Sequence, residues 1–221
     1  MLPEQRAAAI QSAAFLALTG VLLFGAAGRI DLWNFWAYLA VMGGIFATSL
    51  VAIDPDLVRE RMRPAGGRAP KGLYVMTAMM FFHFAIAGAD RGRLHWSDTT
   101  MAPMIVGLIL FALANLAFIW IMRVNRYFSS VVRIQTDRGQ KPVTTGPYAW
   151  VRHPGYAAAF VLLPASGLAL GSWLAVAAIA LTGLPLLLWR TIGEDRMLRA
   201  ELEGYDDYAR RVRWRLMPGI W

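Results

Sequence analysis

Four apolar stretches, each close to or above the length of a membrane-spanning helix, constrain this sequence more than any other feature. A helix needs roughly 20 predominantly apolar residues to cross the hydrocarbon core of a bilayer. The four stretches are Ile10 to Gly28, Leu32 to Ile53, Leu73 to Ala89 and Met101 to Met122. A fifth stretch, Tyr156 to Trp189, is too long for one span, and Gly171-Ser172 near its middle indicates a tight turn between two helices.

The composition agrees with a membrane protein. Apolar residues make up 57% of the 221 residues and charged residues 16%, whereas soluble domains are nearer one half and one quarter. We therefore predict an all-α, polytopic integral membrane bundle of five to six transmembrane segments. Residues 1–122 would form four N-terminal spans. Residues 123–221 would form a second unit, made of a loop (123–155), a helical hairpin (156–189) and an amphipathic tail helix (190–221).

The positions of the basic residues along the chain indicate how it crosses the membrane. The net charge is +8, and 18 of the 22 Lys and Arg residues fall into three groups, at residues 59–71, 123–152 and 190–215. Basic residues concentrate on the cytoplasmic side of membrane proteins. An even number of crossings with both termini in the cytoplasm fits this pattern, in the inner or plasma membrane if the protein is bacterial. We expect contacts with membrane lipids and no nucleic-acid partner.

Several kinds of site are not indicated by the sequence. The chain has no cysteine, which excludes thiolate catalysis and cysteine-type zinc sites. Its three histidines, His83, His95 and His153, are too far apart for a recognisable metal-binding pattern, so no metal site is predicted. Neither the glycine-rich dinucleotide loop nor a P-loop motif occurs.

The loop before the hairpin contains the densest group of polar and conformationally special residues. Residues 129–140 alternate β-branched and polar side chains, which predicts a short hairpin-like excursion. Gly146 and Pro147 then predict a rigid turn, since glycine permits unusual φ angles and proline fixes one. A turn that carries Arg152 and His153 at a membrane border is suited to a polar ligand. The alternative is a loop of interfacial aromatic residues and topogenic charges.

The tail provides a second group of polar residues. Arg190 and Glu194 are four residues apart and share one helix face near the membrane border, and Asp195 follows directly. Ionisable groups at membrane depth are costly and mark functional sites by default. The alternative is a solvated helix face on which these carboxylates pair with neighbouring arginines.

These two segments together resemble the isoprenylcysteine carboxyl methyltransferase family, whose wider superfamily includes the phospholipid N-methyltransferases. The resemblance covers residues 123–221 and rests on several motif positions in one order. They are Gly146, Tyr148, Arg152-His153-Pro154-Gly155-Tyr156, Arg190, Glu194-Asp195, Tyr205, Tyr208, Val212 and Pro218. Asp195 departs from the family pattern, which has Glu at this position.

The resemblance implies a methyltransferase that uses S-adenosylmethionine without a Rossmann domain. The implied cofactor-binding residues are Gly146, Pro147, Tyr148, Val151, Arg152, His153, Pro154, Tyr156, Glu194, Asp195, Tyr205 and Tyr208. Arg152 or His153 would meet the cofactor carboxylate, and the two acidic residues its ammonium or ribose. The implied catalytic residues are Arg190, which would anchor the acceptor, Glu194, and Asn125, which would orient it.

The expected acceptor is lipidic, either a small molecule or a prenylated peptide, and most consistent with a carboxylate. It would enter from the bilayer, while the cofactor site faces the cytoplasm. An amine acceptor on the same fold is an alternative, and Glu194 would then act as a base. An NADPH-dependent enzyme resembling the membrane steroid reductases and a non-enzymatic scaffold are further alternatives. The absence of Glu shortly after Tyr156 counts against the reductase.

Overall fold

The fold consists of α-helices joined mostly by short connections. The computed structural model describes residues 3–62 and 71–221. Within these two ranges there is no β-strand, and one isolated bridge joins Asp98 to Ser172. The helices found there are α1 (Pro3–Ala27), α2 (Trp33–Ala52), α3 (Pro55–Met62), α4 (Lys71–Ala89), α5 (Met101–Val124), α6 (Pro154–Ala169), α7 (Trp173–Glu201) and α8 (Tyr205–Arg211).

The long helices form a membrane bundle. Among the described residues, α1, α2, α5 and α7 are long and apolar enough to cross a membrane. The shorter α4 packs against α1 and α7, and α6 packs between α5 and α7. The predicted all-α, polytopic membrane fold with a C-terminal helical hairpin is confirmed.

Three connections meet at one end of the bundle. Asp90, after α4, accepts hydrogen bonds at 2.5 Å from the hydroxyls of Ser97 and Ser172, and Ser172 lies in the α6–α7 turn. Arg93 donates to the carbonyl of Gly25 near the end of α1 at 3.3 Å. Helix α3 and the segment from Asn125 to His153 lie at the other end.

The turn of the C-terminal hairpin is where the sequence predicts it. Gly171 has a φ of +80°, in the left-handed region that favours glycine. Ser172 then caps α7, because its hydroxyl accepts a hydrogen bond from the backbone N–H of Ala175 at 3.0 Å. The turn is therefore closed within three residues.

Small residues bring the membrane helices close together. A Cβ atom on Gly107 of α5 would lie 2.4 Å from the backbone nitrogen of Ala169 in α6. Close approach at small residues is the usual way in which membrane helices pack. This contact joins the first part of α5 to the last turn of α6, and these are the two helices that flank the polar segment described below.

A stripe of large apolar side chains on α5 is exposed at the surface of the bundle. Its members recur every three to four residues and are Ile105, Ile109, Leu113, Leu116 and Trp120. A continuous apolar stripe on an outward face suits contact with lipid chains. The bundle core contains a separate set of buried aromatic side chains, Phe35, Tyr38, Phe84 and Phe111.

Two predictions about the polar segments are wrong. Residues 129–140 form no strand but an irregular segment with one 3₁₀ turn at Thr136–Arg138. The tail is not one continuous helix, because α7 ends at Glu201 and Gly204 takes a φ of +77° before α8 begins. Residues 63–70, which belong to the first group of basic residues, lie outside the described ranges.

Candidate functional site

A cavity of about 310 Å³ lies at the end of the bundle where α5 ends and α6 begins. Its walls come from α3, α4, the end of α5, the segment after it, the start of α6, α7 and α8. Nine of the residues predicted for the site line the cavity. They are Asn125, Tyr148, Arg152, His153, Tyr156, Arg190, Glu194, Tyr205 and Tyr208.

The remaining predicted residues shape the backbone or support the wall from behind. Gly146 has a φ of +58°, and a Cβ atom there would lie 3.1 Å from Val124. Pro147 sits in the 3₁₀ turn Gly146–Ala149, and Pro154 begins α6. Val151 is buried. None of these residues lines the cavity, and neither does Asp195.

Asp195 is the centre of a buried ionic network. Its side chain is 2% exposed and makes a bidentate pair with Arg152, at 2.8 and 3.0 Å. The same carboxylate accepts from His153 Nε2 at 3.1 Å and from the Tyr205 hydroxyl at 3.1 Å. The Nε atoms of Arg199 and Arg215 donate to Asp195 Oδ2 at 3.4 and 3.0 Å. With both oxygens occupied by several donors, Asp195 holds the wall together and is not available as a direct ligand for a cofactor.

Arg152 connects the turn before α6 to the segment that follows α8. Its Nη1 donates to the carbonyls of Val212 and Arg213 at 2.8 and 2.7 Å. The backbone N–H groups of Arg152 and His153 donate to Trp214 and Arg215, both at 2.9 Å. Burial disfavours the charged guanidinium, but the Asp195 carboxylate outweighs it and raises the pKa of Arg152. Arg152 therefore remains charged, and four of its five N–H groups are engaged within the protein, which leaves at most one for the predicted cofactor carboxylate.

Tyr148 offers a hydrogen-bond donor to the cavity. Its hydroxyl accepts from Asn125 Nδ2 at 2.7 Å, and the Asn125 Oδ1 accepts from the backbone N–H of Tyr127 at 2.8 Å. Burial raises the pKa of Tyr148, so the hydroxyl stays protonated. No acceptor for its hydrogen occurs among residues 3–62 and 71–221, which leaves that hydrogen for a ligand.

Tyr205 and Tyr208 present their rings and not their hydroxyls. The Tyr205 hydroxyl donates to Asp195, and the Tyr208 hydroxyl donates to the Tyr148 carbonyl at 2.7 Å. Burial raises the pKa of both phenols, which keeps them protonated donors. Their rings pack edge to face with centroids 5.5 Å apart. They form an apolar wall on which a flat ligand group could stack.

A cation and an anion lie on either side of Tyr156 in the cavity wall. The Tyr156 hydroxyl donates to Glu194 Oε2 at 2.8 Å, and Arg190 Nε lies 3.4 Å from the same hydroxyl. Arg190 and Glu194 are not paired with each other, and Arg190 has no carboxylate partner in the described part of the chain. This arrangement can receive a ligand that carries charges of both signs.

The sequence reasoning missed the contribution of the N-terminal half. Arg61 of α3, Met76 of α4 and Phe118 of α5 line the cavity together with Phe128. Arg61, Met76 and Phe118 lie before residue 123, where the resemblance begins, and share no spacing with the motifs, so no local pattern identifies them. The sequence contains one indication that α3 contacts the segment after α5, because Glu60 and Arg133 carry opposite charges.

That pairing fastens α3 to the segment over the cavity. Glu60 is buried and accepts from Arg133 Nη2 at 3.0 and 3.1 Å. Asp56 pairs with Arg138 at 2.5 Å. The irregular segment is thus held by ion pairs more than 70 residues apart in sequence, which explains why it keeps a defined course without strands.

The fold of this chain matches the structure of the eukaryotic intramembrane Ras methyltransferase ICMT, isoprenylcysteine carboxyl methyltransferase, with a TM-score of 0.59 and 20% identity. The match covers 95% of this chain and 75% of that one. Residues 102–203 match the family model of phospholipid methyltransferases. The chain is therefore similar to phospholipid methyltransferases over residues 102–203, and it shares its fold with the isoprenylcysteine carboxyl methyltransferase.

Two metal-resistance proteins are also similar to this chain. One is the nickel-cobalt-cadmium resistance protein NccN of Alcaligenes xylosoxydans xylosoxydans, 31% identical over 55% of this chain and 54% of its own. The other is the cobalt-zinc-cadmium resistance protein CzcN of Cupriavidus metallidurans, 28% identical over 58% of this chain and 56% of its own. The chain thus spans about half the length of these relatives. Within its own described ranges, no group of three His, Cys, Asp or Glu side chains has metal-site geometry.

Proposed function

We propose that this membrane methyltransferase uses S-adenosylmethionine and methylates a carboxylate of a lipidic acceptor. The observation that carries the proposal is the Arg190–Tyr156–Glu194 arrangement in a cavity walled on one side by membrane helices. A cofactor with an amino-acid end, a ribose and an adenine needs paired charges, hydrogen-bond donors and an apolar surface for its ring. The cavity wall offers all three.

The residues divide into those that would contact the cofactor and those that would hold them in place. Glu194 would accept from the ammonium group, and the Tyr148 hydroxyl would donate to a ribose or carboxylate oxygen. Lys141 at the exposed rim and the imidazole of His153 are left to meet the cofactor carboxylate, since most donors of Arg152 are engaged within the protein. Asp195 would act only by positioning His153 and Tyr205.

Methyl transfer requires that the acceptor be aligned with the methyl group. S-adenosylmethionine supplies that group as part of a positively charged sulfonium. Arg190 would bind and orient the acceptor carboxylate, and Asn125 would keep Tyr148 in place. A carboxylate needs no general base, so positioning would account for most of the rate enhancement. Met76, Phe118 and Leu187 in the wall suit an acyl or prenyl chain that arrives from the bilayer.

A second candidate function is methylation of a lipid amine. Glu194 favours it, because one of its oxygens bonds Tyr156 while the other lies 4.0 Å from His153 Nδ1, with 28% of the side chain exposed. A carboxylate with one available oxygen in a cavity could take a proton from an ammonium group. Screening the two acceptor classes with radiolabelled cofactor would separate the functions.

The first test is calorimetric titration of the detergent-purified protein with S-adenosylhomocysteine and, separately, with NADPH. We expect binding of the first and not of the second. Glu194→Gln removes a charge-assisted hydrogen bond to the ammonium group and should weaken binding about tenfold or more. Glu201→Gln, on an exposed position of the same helix, is the matched control and should bind normally. Binding of NADPH alone would overturn the proposal in favour of a reductase.

A further inference from the structure

Arg61 is a charged residue of the cavity wall that none of the roles above uses. It belongs to α3, outside residues 102–203 that match the family model, and it faces the cavity beside Phe128. Its Nη1 donates to the Phe128 carbonyl at 3.2 Å, and its guanidinium lies 5.5 Å from the centroid of the Phe128 ring. These contacts fix the side chain in one direction.

The other charges of α3 are paired, whereas Arg61 is not paired with any carboxylate in the described residues. Arg59 pairs with Glu4 at 3.1 Å, and Glu60 pairs with Arg133 at 3.0 Å. Burial lowers the pKa of Arg61, because the charged guanidinium loses part of its contact with water. An arginine that is half-buried, oriented and unpaired in a cavity is suited to binding an anion.

The surroundings of Arg61 indicate which kind of anion fits. Phe128 lies under the guanidinium, and Phe118 packs edge to face with Phe128 at a centroid distance of 6.3 Å. Phe118 belongs to the membrane helix α5, and Met76 of α4 lines the same cavity. The guanidinium therefore stands where an apolar wall formed by membrane helices meets the polar end of the cavity. That position matches an amphiphile with a charged head and an apolar chain.

Charge counting gives a second argument, which depends on the proposed function. Arg61 and Arg190 are both half-buried cavity residues with no carboxylate partner among residues 3–62 and 71–221. In the proposed function Arg190 binds the reacting carboxylate, and the cofactor carboxylate has His153 and Lys141 available. Arg61 then remains for a further negative charge, which must come from the acceptor.

We propose that Arg61 binds an anionic headgroup, a phosphate or a second carboxylate, of the lipid acceptor and thereby selects anionic amphiphiles. This inference rests on the proposed function, since it identifies the chemical class of the acceptor for the same cavity. Arg61 would act as a specificity residue in binding and would take no part in the methyl transfer.

The test compares two lipids that differ in one charged group. The full-length protein in dodecyl maltoside is titrated with oleoyl lysophosphatidate and with monooleoylglycerol, which lacks the phosphate. We expect the anionic lipid to bind about tenfold more tightly, in keeping with a hydrogen-bonded charge pair. Arg61→Gln should remove most of this preference. Arg59→Gln, two positions away and directed at Glu4, is the matched control and should retain it.

Two further measurements make the result specific. The affinity for S-adenosylhomocysteine should be the same in all three proteins, and a selective loss in Arg61→Gln would overturn the inference by assigning Arg61 to the cofactor. Inorganic phosphate at millimolar concentration should not compete with the lipid, and competition would show a site for a soluble anion instead. Preference for the anionic lipid that persists in Arg61→Gln would also overturn it.

Folding defects and failure of the proposed function can be told apart from failure of this inference. Arg61→Lys keeps the positive charge, and it should retain a preference for the anionic lipid even if Arg61→Gln unfolds. If the unaltered protein fails to bind S-adenosylhomocysteine, the proposed function fails. The dependence of lipid selection on Arg61 is read from the two lipids alone and stands or falls separately.

Discussion

Asp195 shows how one side chain can support a site without contacting its ligand. The carboxylate joins the turn at Arg152 and His153, α8 through Tyr205 and the last segment through Arg215. The family pattern has Glu at this position, and in this chain the shorter Asp forms a bidentate pair with Arg152. A buried charge that is fully hydrogen-bonded is strongly coupled to its partners. Loss of that charge therefore leaves each of these partners without the group that balances it.

Asp195→Asn should therefore destabilise the protein strongly. Removal of one partner from a buried ion pair typically costs about 3–5 kcal/mol, since the other charge is left uncompensated. For a chain of this size we expect the midpoint of thermal unfolding in detergent to fall by on the order of 10 °C. Arg199→Ala removes the partner that is 40% exposed and is the control, with an expected loss of at most about 1 kcal/mol. Equal losses in the two variants would contradict the central role of Asp195.

At the level of the elements, the break between α7 and α8 aims the two tyrosine rings at the cavity. An uninterrupted helix would continue in the direction of α7 and carry Tyr205 and Tyr208 past the site. Gly204, with a φ of +77°, makes the change of direction. Its surroundings are open, because the nearest atom to a Cβ there would be Pro142 Cγ at 4.0 Å. The requirement for glycine is thus one of backbone conformation and not of space.

Gly204→Ala tests this conclusion against a second glycine. Alanine in the left-handed region costs about 1–2 kcal/mol, so this variant should unfold at a lower temperature and bind S-adenosylhomocysteine more weakly. Gly193→Ala lies inside α7 with nothing near its Cβ position, and it should be neutral or stabilising by up to about 1 kcal/mol. Circular dichroism melts of both variants give the comparison. A stable Gly204→Ala variant with normal binding would show that the turn tolerates another geometry.

The elements also show what the sequence could and could not predict. Apolar runs locate α2, α4 and α5 within two residues and the end of α1 within one, although α1 begins seven residues before its apolar run. Gly171-Ser172 locates the hairpin turn, because both signals are local. The same holds for Tyr148, His153 and Glu194, whose motifs bring them to the cavity. Arg61 and Met76 were not predictable, since they reach the cavity through contacts between distant parts of the chain. Asp195 was assigned to the cofactor because a motif does not reveal that its oxygens are already occupied.

At the scale of the whole molecule, the two ends of the bundle differ in chemistry. One end gathers the short connections around Asp90, and the other gathers α3, the cavity and most of the arginines. Because 16 of the 22 basic residues are described residues of the segments at the cavity end, we predict that this end faces the cytoplasm.

The natural absence of cysteine permits a direct test of this orientation. Asp31→Cys places a thiol in the exposed α1–α2 connection, and Thr144→Cys places one at an exposed position of the polar segment. A membrane-impermeant maleimide added to intact cells should label the first variant and not the second. Permeabilised cells should allow labelling of both, which controls for accessibility. The reverse pattern in intact cells would invert the topology.

The bonds from Arg152 to the carbonyls of Val212 and Arg213 have a consequence for biosynthesis. They span about 60 residues and include the whole C-terminal hairpin. During synthesis the turn at Arg152 leaves the ribosome well before its partners, while the hairpin between them must first enter the membrane. The cavity wall can therefore close only after the last crossing is made, so a chain halted before residue 212 would carry its spans but lack the finished pocket.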